Sequence, residues 1–199
     1  METNNQDRHQ ARQQRIKEKV DARIAAAQDE RGLLIVITGD GKGKSTSGFG
    51  TIARATGHGL HAGVVQFIKG TWECGERILL QKAGVEFHVM ATGFTWETQD
   101  SSRDATAAQA AWELACTYLA NPEIGLVVLD EFTYPLKYGW LDLELVIAAL
   151  AARPPLQHVI ITGRAAPEGL IAVADTVTDM TLIKHAFKAG VKAMPGLEW

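Results

Sequence analysis

Five aliphatic and β-branched residues, Leu33-Leu34-Ile35-Val36-Ile37, run directly into Thr38-Gly39-Asp40-Gly41-Lys42-Gly43-Lys44-Ser45-Thr46 and from there into a stretch of helical character. A continuous apolar strand of this kind is buried on both faces, which is the habit of a parallel sheet covered by helices. The glycines let consecutive backbone N–H groups turn toward one anion, and the following helix N-terminus adds partial positive charge. Lys44 supplies a full charge, and Ser45 offers a hydroxyl to a magnesium ion. The candidate nucleotide-contacting residues are Gly39, Gly41, Lys42, Gly43, Lys44, Ser45 and Thr46. The common spacing of such loops would put glycine at position 38, where Thr38 stands, and Gly39 lies one residue too close. A phosphate loop one residue tighter than usual is therefore expected, with a nucleotide that need not lie in the ordinary hydrolase pose.

Downstream, near-continuous apolar runs at Val64 to Ile68, Val85 to Met90, Leu126 to Leu129 and Val159 to Ile161 alternate with helical spacing at 45–56, 103–120, 142–152 and 167–174. This is βαβ alternation, which places ligands at the carboxyl ends of the strands. With 199 residues and 46% apolar content the chain has enough for one core and hardly two. The expected organisation is a helical arm over 1–31 and a single α/β domain over 32–199. The arm carries seven basic and six acidic side chains, and Ile16, Val20 and Ile24 form only a thin stripe on it.

A formal charge of −3 leaves no broad basic footprint, so no nucleic-acid partner is expected. No segment approaches the ~18 apolar residues of a membrane span, and none has the layout of a signal peptide. Cys74 and Cys116 are isolated thiols without zinc spacing. A cytoplasmic protein, with no membrane association, is expected.

The run Leu126-Val127-Val128-Leu129 ends in Asp130-Glu131, which puts carboxylates at a strand's carboxyl end, where a magnesium ion held by Ser45 needs an acidic partner. Asp130 and Glu131 are both candidates, and the pattern does not divide their roles. Thr92 to Gln99 follows the third strand and carries Phe94 and Trp96, either a cluster that pins its own loop or a flat wall for a large planar ligand. Lys69 and His185 are open to anion or ribose contacts, with a structural hydrogen bond the simpler role for His185. No Ser-His-Asp order and no His/Cys cluster emerges, so any chemistry rests on positioning, electrostatics and metal.

Taken together, RQQRIKEKVDARIAAAQDERG (12–32), ITGDGKGKST (37–46), VVQFIKGTW (64–72), GVEFHVMATGFTW (84–96), LVVLDEFTY (126–134), VIITGR (159–164) and IKHAFKAGVKA (183–193) resemble the P-loop type of ATP:cob(I)alamin (corrinoid) adenosyltransferases. The shortened loop is itself that family's pattern. Asp40 stands where asparagine is usual, Ser45 where threonine is common, and Pro135-Leu136-Lys137 varies the segment after the acidic pair. The resemblance implies a P-loop NTPase-like, RecA-like fold with a mostly parallel sheet flanked by helices. It further implies that cobalt of a reduced corrinoid attacks C5′ of ATP and expels triphosphate, with Mg²⁺ (or Mn²⁺) and Lys44 stabilising the leaving charge.

On the same resemblance, Phe94 and Trp96 occupy the lower face of the corrin and displace its axial base, easing reduction of the cobalt. Lys44, Phe94 and Trp96 are thus the expected catalytic residues, and Ser45, Asp130 and Glu131 the expected metal residues. A homodimer, an arm that folds over the corrinoid and an external electron donor, a flavoprotein, are also implied. Two other readings remain open from sequence: an NTPase or kinase using Arg54 or Arg164 at the γ-phosphate, and a non-catalytic ATP-binding module.

Overall fold

The structure, a computed structural model, describes residues 2–68, 74–90 and 101–198. It divides into two units, Met1–Arg31 and Gly32–Trp199. The first is helix α1, Glu2–Ala26. Its Arg, Gln, Lys, Glu and Ala are good helix formers, and side chains four apart pair along it, Lys17 with Asp21 at 2.8 Å and Gln14 with Glu18 at 3.0 Å. Ile16, Val20 and Ile24 are exposed.

The second unit runs β1 (Leu34–Thr38), α2 (Lys44–Gly57), β2 (His61–Gln66), α3 (Gly75–Lys82), β3 (Glu86–Val89), α4 (Ser101–Leu119), β4 (Ile124–Asp130), α5 (Thr133–Lys137), α6 (Leu143–Ala151), β5 (His158–Thr162), α7 (Glu168–Val173) and β6 (Thr176–Asp179), then a 3₁₀ turn at Ala186–Ala189. The strands form one sheet in the order β3-β2-β4-β5-β1-β6, and every pairing among them is parallel. The strands expected from apolar runs are present. Their double-faced burial is clearest in β4, where Val127, Val128 and Leu129 are fully buried.

Each face of the sheet carries its own core. On one side Trp112, Ala108 and Ala115 of α4, Val146 and Leu150 of α6 and Leu170 of α7 pack with Val36, Val65, Leu129 and Ile161. On the other, Phe49 and Ile52 of α2 and Leu80 of α3 pack with Ile37, Val64, Val128 and Ile160. The result is a three-layer α/β domain, with β1, β4 and β5 adjacent enough to deliver their carboxyl ends to one edge.

Two strands depart from the sequence-based expectation. The second strand ends at Gln66, two residues before the expected Ile68. Phe67 and Ile68 are nonetheless buried, because Phe67 packs edge-on against Phe132 at 4.9 Å and the chain then turns through a positive φ of 41° at Ile68. Phe67 still donates its N–H to Asp130 O at 2.8 Å, and its apolar side chain answers to core packing. The sixth strand, Thr176–Asp179, is an exposed edge paired only with β1, and its Thr-Val-Thr-Asp composition carries no run of buried residues to announce it.

Candidate functional site

Residues 39–43 span the gap between β1 and α2 as the short loop expected from the sequence. Gly39 and Gly43 adopt φ of 95° and 105°, a region that side chains with a Cβ rarely enter. Gly43 serves as the N-cap of α2, no side chain caps that helix, and its first turn holds no acidic residue. The first-turn amides, including those of Lys44, Ser45 and Thr46, therefore point out of the helix end without a side-chain acceptor, as an anion site requires. Ser45 is half-buried, whereas Thr46 is exposed.

The loop is braced from behind. Thr38 O accepts the Met180 N–H at 2.8 Å, and Gly41 donates its own N–H to Met180 O at 2.6 Å. A Cβ on Gly41 would stand 2.5 Å from that same oxygen, and one on Gly39 would stand 2.0 Å from Asp179 Oδ1. The chain leaving β6 thus lies against the glycines. Gly41 earns its place through this close approach, with its amide directed to Met180.

Lys44 opens α2 and is buried, 6% exposed, with Nζ donating to Gly41 O at 2.7 Å. Burial pushes its ammonium below lysine's ordinary range, Glu131 opposes that shift, Arg164 adds to it, and Asp40 and Asp130 oppose it more weakly. A cation held in this way gains from any multiply charged anion placed on the loop. Lys42 is exposed and ion-paired with Glu198 near the C-terminus.

Asp130 closes β4 and is fully buried. Its Oδ1 accepts from Thr162 Oγ1 at 2.7 Å and its Oδ2 from Gln66 Nε2 at 3.0 Å. The Thr162 hydroxyl in turn accepts the Glu131 N–H at 3.0 Å, so one side chain from β5 orients both acidic residues. Glu131 takes a left-handed φ of 56°, which turns the chain out of the strand, and the next residue, Phe132, is locked into the core against Phe67 and Trp112. Gln66 and Thr162 were not singled out in the sequence. The register that pairs Gln66 with Asp130, and Leu129 with Ile161, is what brings them in.

Arg164 follows β5 with Nε 3.5 Å from Asp40 Oδ1 and Nη1 donating to Tyr134 Oη at 3.2 Å. The Tyr134 hydrogen bond raises its pKa further, against the lowering effect of burial. Its backbone is pinned too, since Arg164 O accepts from Thr133 Oγ1 at 2.7 Å and Ala166 donates its N–H to Thr38 Oγ1 at 3.2 Å. Arg54 sits in the last turn of α2, ten residues along from Lys44 and so about 15 Å from the loop. His185 Nδ1 accepts the Phe187 N–H at 3.1 Å, the structural role expected for it. Phe94, Trp96 and Lys69 lie outside the described residues.

The metal residues expected from the sequence offer hard oxygen donors, a serine hydroxyl and two carboxylates, and Asp40 and Asp179 stand at the glycine loop. Among the described residues no group of three or more His, Cys, Asp or Glu is arranged to hold a metal ion. Such a set does not make an all-protein cage, and it suits Mg²⁺, which is held by one or two carboxylates together with substrate phosphates. No helix among the described residues is long and apolar enough to cross a membrane.

Residues 30–199 match the family described as ATP:corrinoid adenosyltransferase BtuR/CobO/CobP, and residues 1–24 match that described as cob(I)alamin adenosyltransferase N terminal. The chain is 57% identical to the corrinoid adenosyltransferase CobA of Salmonella typhimurium, over 97% of this chain and 98% of that one. It is 55% identical to the corrinoid adenosyltransferase of Pseudomonas aeruginosa, over 96% of each. Identity to the corrinoid adenosyltransferase of Escherichia coli is 56%, over 97% and 98% of the two chains.

Proposed function

The chain belongs to the ATP:corrinoid adenosyltransferase family, and on that premise we propose that it moves the 5′-deoxyadenosyl group of ATP onto the Co(I) centre of a reduced corrinoid and releases intact triphosphate. The cobalt electron pair forms the new bond to C5′, and the electrons of the C5′–oxygen bond leave with triphosphate. The protein's task is to make that triphosphate a good leaving group and to aim C5′ outward at a bulky macrocycle.

The observation that carries this reading is the buried Lys44 at the uncapped start of α2, beside a glycine loop already braced by Met180. A preorganised cation and first-turn amides stabilise charge that grows on the departing oxygens, which is the most effective kind of electrostatic catalysis. Mg²⁺ or Mn²⁺ would be held by Ser45, Asp130 and Glu131 and would supply further neutralisation of the triphosphate. Gly39, Lys42, Gly43 and Thr46 complete the contacts to ATP, with Gly41 shaping the loop. Arg54, at the far end of α2, is too distant to serve phosphoryl transfer at the loop, whereas Arg164 stands beside it, so the product assay below decides between the two readings.

Phe94 and Trp96 are assigned to the lower corrin face on the family resemblance. The same resemblance implies a homodimer, an external flavoprotein as electron donor and an arm over 1–31 that closes on the corrinoid, in the cytoplasmic setting expected from composition. The test is to incubate the protein with ATP, Mg²⁺ and chemically reduced cobalamin. Adenosylcobalamin and triphosphate in equal amounts are expected; orthophosphate and ADP without alkylated cobalt would overturn the reading.

A further inference from the structure

Gln66 is the last residue of β2 and sits in register with Asp130 in β4. It is 1% exposed, among Val64, Val65, Phe67 and Leu129, all fully buried and apolar. An amide in such surroundings needs a reason, because every one of its polar atoms loses water on folding. Half of the reason is visible: Nε2 donates to Asp130 Oδ2 at 3.0 Å. The other half is not, since Oε1 is buried without a hydrogen-bond partner among the described residues.

Turning the amide over would not relieve Oε1. The Thr162 hydroxyl accepts the Glu131 N–H and so directs its own hydrogen at Asp130 Oδ1, which fixes that oxygen as an acceptor. A carboxylate that holds a cation is ionised and accepts at both oxygens, so with Asp130 in that role the nitrogen of Gln66 must face it and the carbonyl oxygen must face away. The protein therefore holds a buried acceptor in a fixed direction beside the acidic end of β4. Donors that fit are the waters around a small dication. Mg²⁺ keeps several of them, their hydrogens are strongly polarised, and each needs an acceptor.

We propose that Gln66 is a positioning residue of the divalent-cation site: its Nε2 fixes the rotamer in which Asp130 meets the cation, and its Oε1 accepts from a water in the cation's hydration shell. This rests on the reading of Asp130 as a metal residue. Partners of this kind, one step removed from a metal, typically carry ten- to a hundredfold in metal affinity.

The test uses the full chain with Mn²⁺ as probe, its free concentration followed by electron paramagnetic resonance in the presence of ATP, with ATP affinity measured separately in EDTA. Gln66→Leu is expected to weaken Mn²⁺ binding in the ATP complex by about tenfold or more, while metal-free ATP affinity stays within about twofold of wild type. Should Gln66→Leu fail to fold, Gln66→Met, which keeps the side-chain length, is expected to show the same split. Unchanged Mn²⁺ affinity in a folded variant would overturn the inference, as would an equal loss of ATP affinity in EDTA, which marks a structural role only. Asp130→Asn separates the two levels. If it weakens Mn²⁺ and Gln66→Leu does not, the inference alone fails; if it leaves Mn²⁺ binding intact, the metal reading of Asp130 fails and takes the inference with it.

Discussion

Lys44 is costly to the fold, and the proposed function gives that cost a purpose. Its ammonium is buried, and it rests on the carbonyl of Gly41. Lys44→Ala is expected to lower adenosylcobalamin formation by about a hundredfold or more, the scale set by removal of one preorganised charge-stabilising group; wild-type turnover would remove the loop from the mechanism. Because burial lowers the Lys44 pKa in the free protein and triphosphate raises it again, ATP binding favours the protonated lysine. Affinity should therefore be full below the free-state pKa and fall as pH rises through it, at lower pH than an ordinary lysine would require. Calorimetric titration of ATP at a series of alkaline pH values checks this; a flat profile up to the ordinary lysine range would contradict it. At this scale the sequence was informative about placement: Lys44 and Ser45 open α2, and the acidic pair stands at the carboxyl end of β4. It was silent on Thr162 and Gln66, whose polar atoms acquire meaning only through their neighbours across the sheet.

The glycine loop between β1 and α2 is built as a unit with the end of β6 and the residue that follows it. Gly39→Ala would combine a positive φ with a Cβ placed 2.0 Å from Asp179 Oδ1. A cost of about 2 kcal/mol is expected for such backbone strain and displacement, which for a chain of this size lowers Tm by roughly 4–8 °C. Differential scanning calorimetry measures it, together with a parallel loss of ATP affinity; an unchanged Tm would mean that the segment after β6 gives way freely. Elements buried on both faces were legible as apolar runs, so β1, β4 and β5 were expected within a few residues of their observed limits. The edge strand β6 was not, since its side chains are exposed and its only role in the sheet is one ladder with β1. Helix α3 was also missed: eight residues with a single buried side chain, Leu80, give too short a period to recognise.

At the scale of the whole molecule, both hydrophobic cores are built entirely from residues beyond Gly32. Removing residues 1–31 is therefore expected to leave Tm within about 2 °C of wild type, since no buried apolar side chain among the described residues is lost. If the arm closes on the corrinoid as proposed, the same truncation raises KM for cobalamin while the ATP affinity is retained. Calorimetry and steady-state kinetics on the truncated chain separate these outcomes; a collapse of Tm would show the arm to be part of the folding unit. The βαβ order was readable from sequence, but the sheet order β3-β2-β4-β5-β1-β6 was not, because alternation counts strands without saying which ones lie side by side.

The pair of hydrogen bonds that ties Thr38 and Gly41 to Met180 has a kinetic and entropic corollary. A glycine-rich segment free in solution would have to surrender many backbone conformations each time a ligand arrived. Here that freedom is surrendered once, when the polypeptide first assembles, so under the proposed function successive catalytic cycles meet a receptor already in shape, and product departure does not require the receptor to come apart.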